Sequence, residues 1–156
     1  MRKALLFYNL VSGPRRSRRV ADVDSAAAVL RAAGVETKTQ ATQGPGDAPE
    51  QVKQAIALGY DTIVACGGDG TAHDTLQGLV GSDVALAVIP LGTANALAHD
   101  LGIPLSPAAA ARALLQAKPR RVSAGRVEYL DFTGKPGWRY SRLRSALGSM
   151  PTCSTN

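Results

Sequence analysis

Three times before residue 100, a short apolar run ends in a polar turn carrying glycine and is followed by helical spacing. The runs are Lys3–Tyr8, Asp61–Cys66 and Val84–Ile89, and their turns are Leu10–Pro14, Gly67–Gly70 and Pro90–Gly92. Apolar runs of this length with turn signals behind them read as buried strands. Strands alternating with helices predict an α/β fold: a doubly wound, mainly parallel sheet with helices on both faces. In such a fold ligands sit beyond the carboxyl ends of the strands. All three glycine turns follow strands, so all three are expected on one edge.

The remaining elements fit between these. Val20–Ala33 places Val23, Ala26, Ala27, Leu30 and Ala33 on one helical face, with Gly34 as the residue that ends it. Val35–Thr42 reads as a further strand. Asp47, with Glu50 three residues on, predicts a capped helix through Leu58. Helices are expected over Thr71–Val80, Thr93–Leu101 and Pro107–Lys118, and a last strand over Arg121–Tyr129.

Gly67-Gly68-Asp69-Gly70-Thr71 carries the strongest chemical signal. Adjacent glycines let the backbone approach a ligand with no Cβ in the way, and here they are expected to use positive φ. Their amides, with the N-terminus of the following helix, suit phosphate oxygens. Asp69 inside an anion site implies a divalent cation, Mg²⁺, or the orientation of an attacking hydroxyl. The plain alternative is a tight strand–helix turn. It loses weight because Pro90–Asn95, with Gly92, Thr93 and Asn95, repeats the logic, as does Asn9 with Ser12 and Gly13. No Gly-Lys-Ser/Thr closes any of these turns, so none is a Walker A loop.

Lys and Arg outnumber Asp and Glu by 18 to 12, a net charge of +6. A positive surface attracts phosphates, anionic membrane or nucleic acid without choosing among them. Aromatic content of 4% and the absence of a recognised basic helix argue against nucleic acid. Arg15, Arg16, Arg18 and Arg19 form a basic run directly behind the first turn, read either as a solvated loop or as phosphate attraction. Cys66 reads as a small buried residue, Cys153 lies in a polar tail, and no Cys/His spacing suggests zinc. The first residues are too short for a signal-peptide core, so a cytoplasmic setting is expected, with peripheral contact to a membrane face as an option. Nothing in the pattern specifies an oligomeric state.

These motifs resemble those of the diacylglycerol kinase family, which includes bacterial lipid kinases, sphingosine kinases and ceramide kinases. The family pattern is Asn-Pro-x-Ser-Gly, a Thr before Gly-Asp-Ala, Gly-Gly-Asp-Gly-Thr, then Pro-x-Gly-Thr/Ser-x-Asn. The matches are Asn9, Ser12 and Gly13; Thr42 before Gly46-Asp47-Ala48; Gly67, Gly68, Asp69, Gly70 and Thr71; and Pro90 to Asn95. Leu10 stands where Pro is usual, His73-Asp74 where Asn-Glu is usual, and Ser123 where Asp is frequent. The resemblance implies a phosphofructokinase/NAD kinase-like N-terminal domain that binds ATP with Mg²⁺. Its contacts would come from Asn9, Ser12, Gly13, Thr42, Gly67 to Thr71, Asp74, Gly92, Thr93 and Asn95. It also implies a β-rich second domain, absent from this chain, that binds the lipid and supplies the general base.

The expected organisation is a nucleotide-binding domain over 1–129, the start of a link over 130–140, and an aberrant tail over 141–156. Back-translated and read one base earlier, the tail permits a stretch resembling the family's continuation, so a shifted reading frame is expected. The expected function is therefore ATP-dependent phosphoryl transfer to a lipid hydroxyl by the parent family, with this chain an inactive ATP-binding fragment. The alternatives are a non-catalytic nucleotide-binding module and a NAD kinase-like enzyme. The latter carries a second motif of the type Asn-x-Gly-x-x-Gly-Phe, which Pro90–Asn95 does not match.

Overall fold

The computed structural model describes residues 1–10, 16–44 and 46–142. It divides into two compact units, the first ending at Arg120.

The first unit is built on four strands, β1 Lys3–Tyr8, β2 Glu36–Ala41, β3 Thr62–Gly67 and β4 Ala85–Pro90. They form one sheet in the order β2-β1-β3-β4, every neighbouring pair parallel. Successive side chains of a strand point to opposite faces, and a sheet covered on both faces needs apolar residues at both. Leu6, Val64 and Ile89 pack with Val23, Ala26, Ala27 and Leu30 of α1 (Arg19–Ala32) and with Ala110 and Ala111 of α5 (Pro107–Gln116). Leu5, Phe7 and Ile63 pack the other way, on Val52 and Ala55 of α2 (Ala48–Ala57). On that face Ala65 and Val88 meet Ala72 of α3 (Asp69–Leu79) and Ala98 of α4 (Ala96–Asp100). The doubly wound parallel architecture read from the sequence is the one observed.

Three local expectations differ. Asp47 precedes α2 but makes no side-chain cap to it, so the pairing read from Asp47 and Glu50 does not form. Pro49 fixes the backbone of the first turn instead. Helix α3 begins at Asp69 with Gly68 as its extended N-cap, so half of the expected turn is helical; a carboxylate suits a first turn. Helix α4 begins only at Ala96, because Asn95 before it is left-handed, φ 49°.

The second unit, within the described residues, is an antiparallel hairpin of β5 (Ala124–Leu130) and β6 (Pro136–Arg142). Asp131 Oδ1 closes its turn by accepting the Thr133 and Lys135 amides and the Thr133 hydroxyl. Arg126 lies over the Trp138 ring, 5.0 Å from its centroid. Strand β6 was not among the expected elements; it pairs with β5 across a short hairpin turn. The tail from Ser141 onward overlaps β6 at Ser141 and Arg142, and 143–156 lie outside the described residues.

Candidate functional site

Register brings the turns together. Tyr8 pairs with Cys66, and Gly67 with Pro90, so β1, β3 and β4 end side by side at one edge. Thr42, one residue past β2, donates its amide to the Tyr8 carbonyl, which puts it at the same edge.

The turns after β3 and β4 touch through backbone. A Cβ built on Gly68 would lie 3.2 Å from the Gly92 Cα, and one built on Gly92 would meet the Gly68 Cα and amide. The Leu91 amide donates to the Gly67 carbonyl at 2.9 Å. Glycine is therefore required here by close approach. The expected positive φ is absent: Gly68 has φ −90°, Gly70 is in α3, and neither Gly67 nor Gly92 is among the left-handed residues.

Asn95 clasps its own turn. Its Oδ1 accepts the Gly92 amide and its Nδ2 donates to the Gly92 carbonyl, each at 2.9 Å. The left-handed backbone of Asn95, a conformation Asn tolerates well, lets the side chain fold back this far. The Gly92 amide thus points at Asn95. Asp69 links the two turns: its carboxylate oxygens accept the Ala96 and Leu97 amides, both at 3.0 Å, so that α3 caps the start of α4.

Above these turns lies a pocket of about 300 Å³. Asn9 lines it from the end of β1, Gly68, Gly70, Thr71 and Asp74 from the start of α3, and Gly92 and Thr93 from the β4 turn. Arg19, which was seen in the sequence only as one of a basic run, lines it as well. Gly67, Asp69 and Asn95 are not lining residues but hold those that are. Ser12 and Gly13 lie outside the described residues. The sign that Arg19 differs from its neighbours, its burial, is not written in the run itself.

Cys66, at the end of β3, is fully buried; burial pushes its thiol far up, against the pull of the Arg19 guanidinium. It is a neutral core residue. Among the described residues no group of three or more His, Cys, Asp or Glu is arranged to hold a metal by itself.

The diacylglycerol kinase catalytic domain model matches residues 3–127. The chain belongs to that family. A "Probable lipid kinase YegS-like" of Pseudomonas aeruginosa is 44% identical over 108 residues, covering 68% of this chain and 35% of the relative. A diacylglycerol kinase of Bacillus subtilis is 39% identical over 106 residues, covering 67% of this chain and 34% of its own length. A diacylglycerol kinase structure from Bacillus anthracis superposes with a TM-score of 0.63 at 30% identity, covering 73% of this chain and 43% of that one. This diacylglycerol kinase-family chain therefore spans about a third of the length of these two curated relatives. No helix among its described residues is long and apolar enough to cross a membrane.

Proposed function

We propose that the pocket between the β1, β3 and β4 ends binds the phosphates of ATP with Mg²⁺, for transfer to a lipid hydroxyl. Diacylglycerol, a sphingoid base or a related lipid is the acceptor class. The observation that carries the reading is the convergence of Asn9, Gly68, Gly70, Thr71 and Thr93 on one pocket in a chain of this family. Thr71 and Thr93 carry hydroxyls, and Gly68, Gly70 and Thr71 line the pocket at the start of α3. These are the groups that phosphate oxygens require.

The residues present fit Mg²⁺. That ion takes most of its ligands from water and phosphate and one or two from carboxylates. Asp74 lines the pocket. Asp69, whose two oxygens accept the Ala96 and Leu97 amides, is not among the lining residues. When bound, the ion neutralises charge on the phosphate oxygens.

The chain itself, on this proposal, comprises the nucleotide-binding domain over 1–129, the start of a link over 130–140 and a frame-shifted tail over 141–156. It binds nucleotide but does not turn over. The family resemblance assigns the acceptor pocket and the general base to a β-rich second domain. Orientation in such reactions is worth several kcal/mol, ~7–11 at the upper end, and a general base about 10²–10⁴-fold. The net charge of +6 on this chain favours peripheral contact with an anionic membrane face.

The test is labelled-phosphate incorporation across a lipid panel, with nucleotide binding followed by calorimetry. The 156-residue chain should bind Mg·ATP and phosphorylate nothing. Restoring the reading frame after Tyr140, with downstream sequence, should restore transfer. Phosphorylation by the short chain would show that the acceptor site is misplaced. Inactivity of the restored protein on every lipid hydroxyl would count against the lipid kinase reading.

A further inference from the structure

The chain is poor in aromatic residues, with one Trp, four Tyr and two Phe, yet Tyr129, Phe132, Trp138 and Tyr140 all fall in the β5–β6 hairpin. In the first unit Phe7 and Tyr60 are buried, and Tyr8 packs against the core. In the hairpin the apolar groups face water instead: Phe132 is 111% exposed, Leu130 70% and Trp138 50%. A single residue of this kind is ordinary on a protein surface, whereas a cluster marks a surface that something covers.

Phe132 lies beyond the last paired residues, Leu130 and Pro136. A strand added to either edge of the hairpin would cover β5 or β6 and still leave it in the open. The turn that carries it is firmly held. The Asp131 amide donates to the Lys135 carbonyl and the Gly134 amide to the Asp131 carbonyl, both at 2.9 Å. None of the bonds that close this turn needs the Phe132 side chain.

The charges around the tip are not balanced. Between residues 121 and 141 the basic residues are Arg121, Arg126, Lys135 and Arg139, and the acidic ones are Glu128 and Asp131. Both acids are engaged within the hairpin: Glu128 pairs with Arg126 at 3.0 Å, and Asp131 Oδ1 accepts from its own turn. Lys135, at the base of the turn, is exposed. An apolar tip with aromatic flanks and an excess of cations matches an anionic bilayer surface. There apolar groups enter the acyl boundary, aromatic rings sit at headgroup level and cations meet lipid phosphates. A free anion in water would offer Phe132 and Leu130 nothing.

We propose that the tip of the β5–β6 hairpin, formed by Leu130, Phe132 and Lys135, is a docking surface for an anionic lipid bilayer. This deepens the lipid-acceptor reading above and rests on it, since an acceptor dissolved in a bilayer is met at the bilayer surface.

Trp138 is the chain's one tryptophan, so its emission reports on the hairpin alone. The experiment titrates the full chain with vesicles of phosphatidylcholine, either alone or mixed with phosphatidylglycerol, and follows Trp138 emission and co-sedimentation. The mixed vesicles should shift the emission to the blue and carry the chain down, and neutral vesicles should do so more weakly. F132S should weaken binding to mixed vesicles by about tenfold or more, whereas F132L, which keeps an apolar tip, should retain most of it. K135E should weaken binding to mixed vesicles by about fivefold or more and leave neutral vesicles unaffected. Thermal unfolding and Mg·ATP binding of these variants should match the wild type.

If F132S and K135E sediment with mixed vesicles as the wild type does, the contact lies elsewhere on the chain and the proposal fails. Should F132S not fold, unchanged vesicle binding by K135E overturns it. A wild type that binds Mg·ATP but no vesicle overturns this proposal alone; failure of the lipid-acceptor reading shows separately, in the labelled-phosphate assay of the frame-restored protein. A blue shift that grows with protein concentration in the absence of vesicles, and that F132S abolishes, would mean that a second copy of the chain covers the tip, and would also overturn it.

Discussion

Gly92 and Gly68 meet backbone to backbone, so that a Cβ on Gly92 would enter the space of the Gly68 Cα and stand 2.9 Å from the Asn95 Oδ1. Those neighbours are main chain or a side chain already bonded to main chain, and neither can step aside cheaply. Gly70 is the contrast: it lies in α3, and nothing stands within 4 Å of where its Cβ would be. Gly92→Ala should therefore destabilise the fold by about 1–3 kcal/mol, the cost of overpacking. Gly70→Ala should leave stability unchanged or raise it by up to ~1 kcal/mol, since Ala is the better helix residue. Denaturant unfolding checks both. If nucleotide phosphates pass over Gly70, the same Gly70→Ala protein should bind ATP more weakly despite its intact fold, which separates a ligand role from a packing one.

Asn95 combines a left-handed backbone with two hydrogen bonds to Gly92. Asn95→Gly keeps the backbone conformation and loses both bonds. Asn95→Ala loses both bonds and adds the strain of a left-handed Cβ, ~1–2 kcal/mol. The expected order of stability is wild type, then N95G, then N95A. Equal stability of the two variants would show that the conformation relaxes once the clasp is gone.

The Asp69 carboxylate accepts two amides from the first turn of α4. Asp69→Ala should lower stability by about 1–2 kcal/mol, as for other lost helix caps. Asp69→Asn keeps one acceptor but turns an NH₂ towards a second N–H, so it should also destabilise. In the frame-restored protein it should cut turnover more than ATP affinity if Asp69 also works on the metal or on the attacking hydroxyl. Equal losses in both would confine Asp69 to joining the two turns.

How legible each feature was depends on how local its cause is. Lys3–Tyr8 was readable to the residue because a strand buried on both faces must be apolar throughout and a polar turn follows it. Gly67–Thr71 was readable as a close-approach turn, but not the reason for its glycines. That reason is Gly92, which arrives from another strand. The start of α4 was misplaced because periodicity carries through Thr93–Asn95, whereas a side chain bonding back to Gly92 breaks the helix there. Arg19 could not be told from Arg18 by composition. Which of two adjacent arginines turns inward is decided by the β4 turn, 72 residues away.

Asp61 sits at the opposite edge of the sheet from the pocket, before β3, and binds the first strand. Its carboxylate accepts the Arg2 amide at 2.7 Å, the Lys3 amide at 3.3 Å and the Thr62 hydroxyl at 2.8 Å. Burial by itself would raise the Asp61 carboxyl. The Arg2 amide, the Thr62 hydroxyl, the Lys3 amide and the amino terminus outweigh it and hold the carboxyl below its ordinary value of 3.8. A carboxyl depressed in the folded state binds protons less readily than in the unfolded chain. Its contribution is thus complete above the ordinary value and lost as pH falls through the depressed one. Thermal unfolding between about pH 6 and pH 2 should show the wild type losing stability towards acid, as any carboxylate-bearing protein does. Asp61→Asn should be less stable than wild type at pH 6, and the gap should narrow below pH 4 as the wild-type carboxyl takes up its proton. Because Asp61 lies at the far edge, nucleotide affinity of the folded variant at neutral pH should be unchanged. A gap that stays constant down to pH 2 would show that the Asp61 charge contributes nothing and that only the shape of its side chain matters.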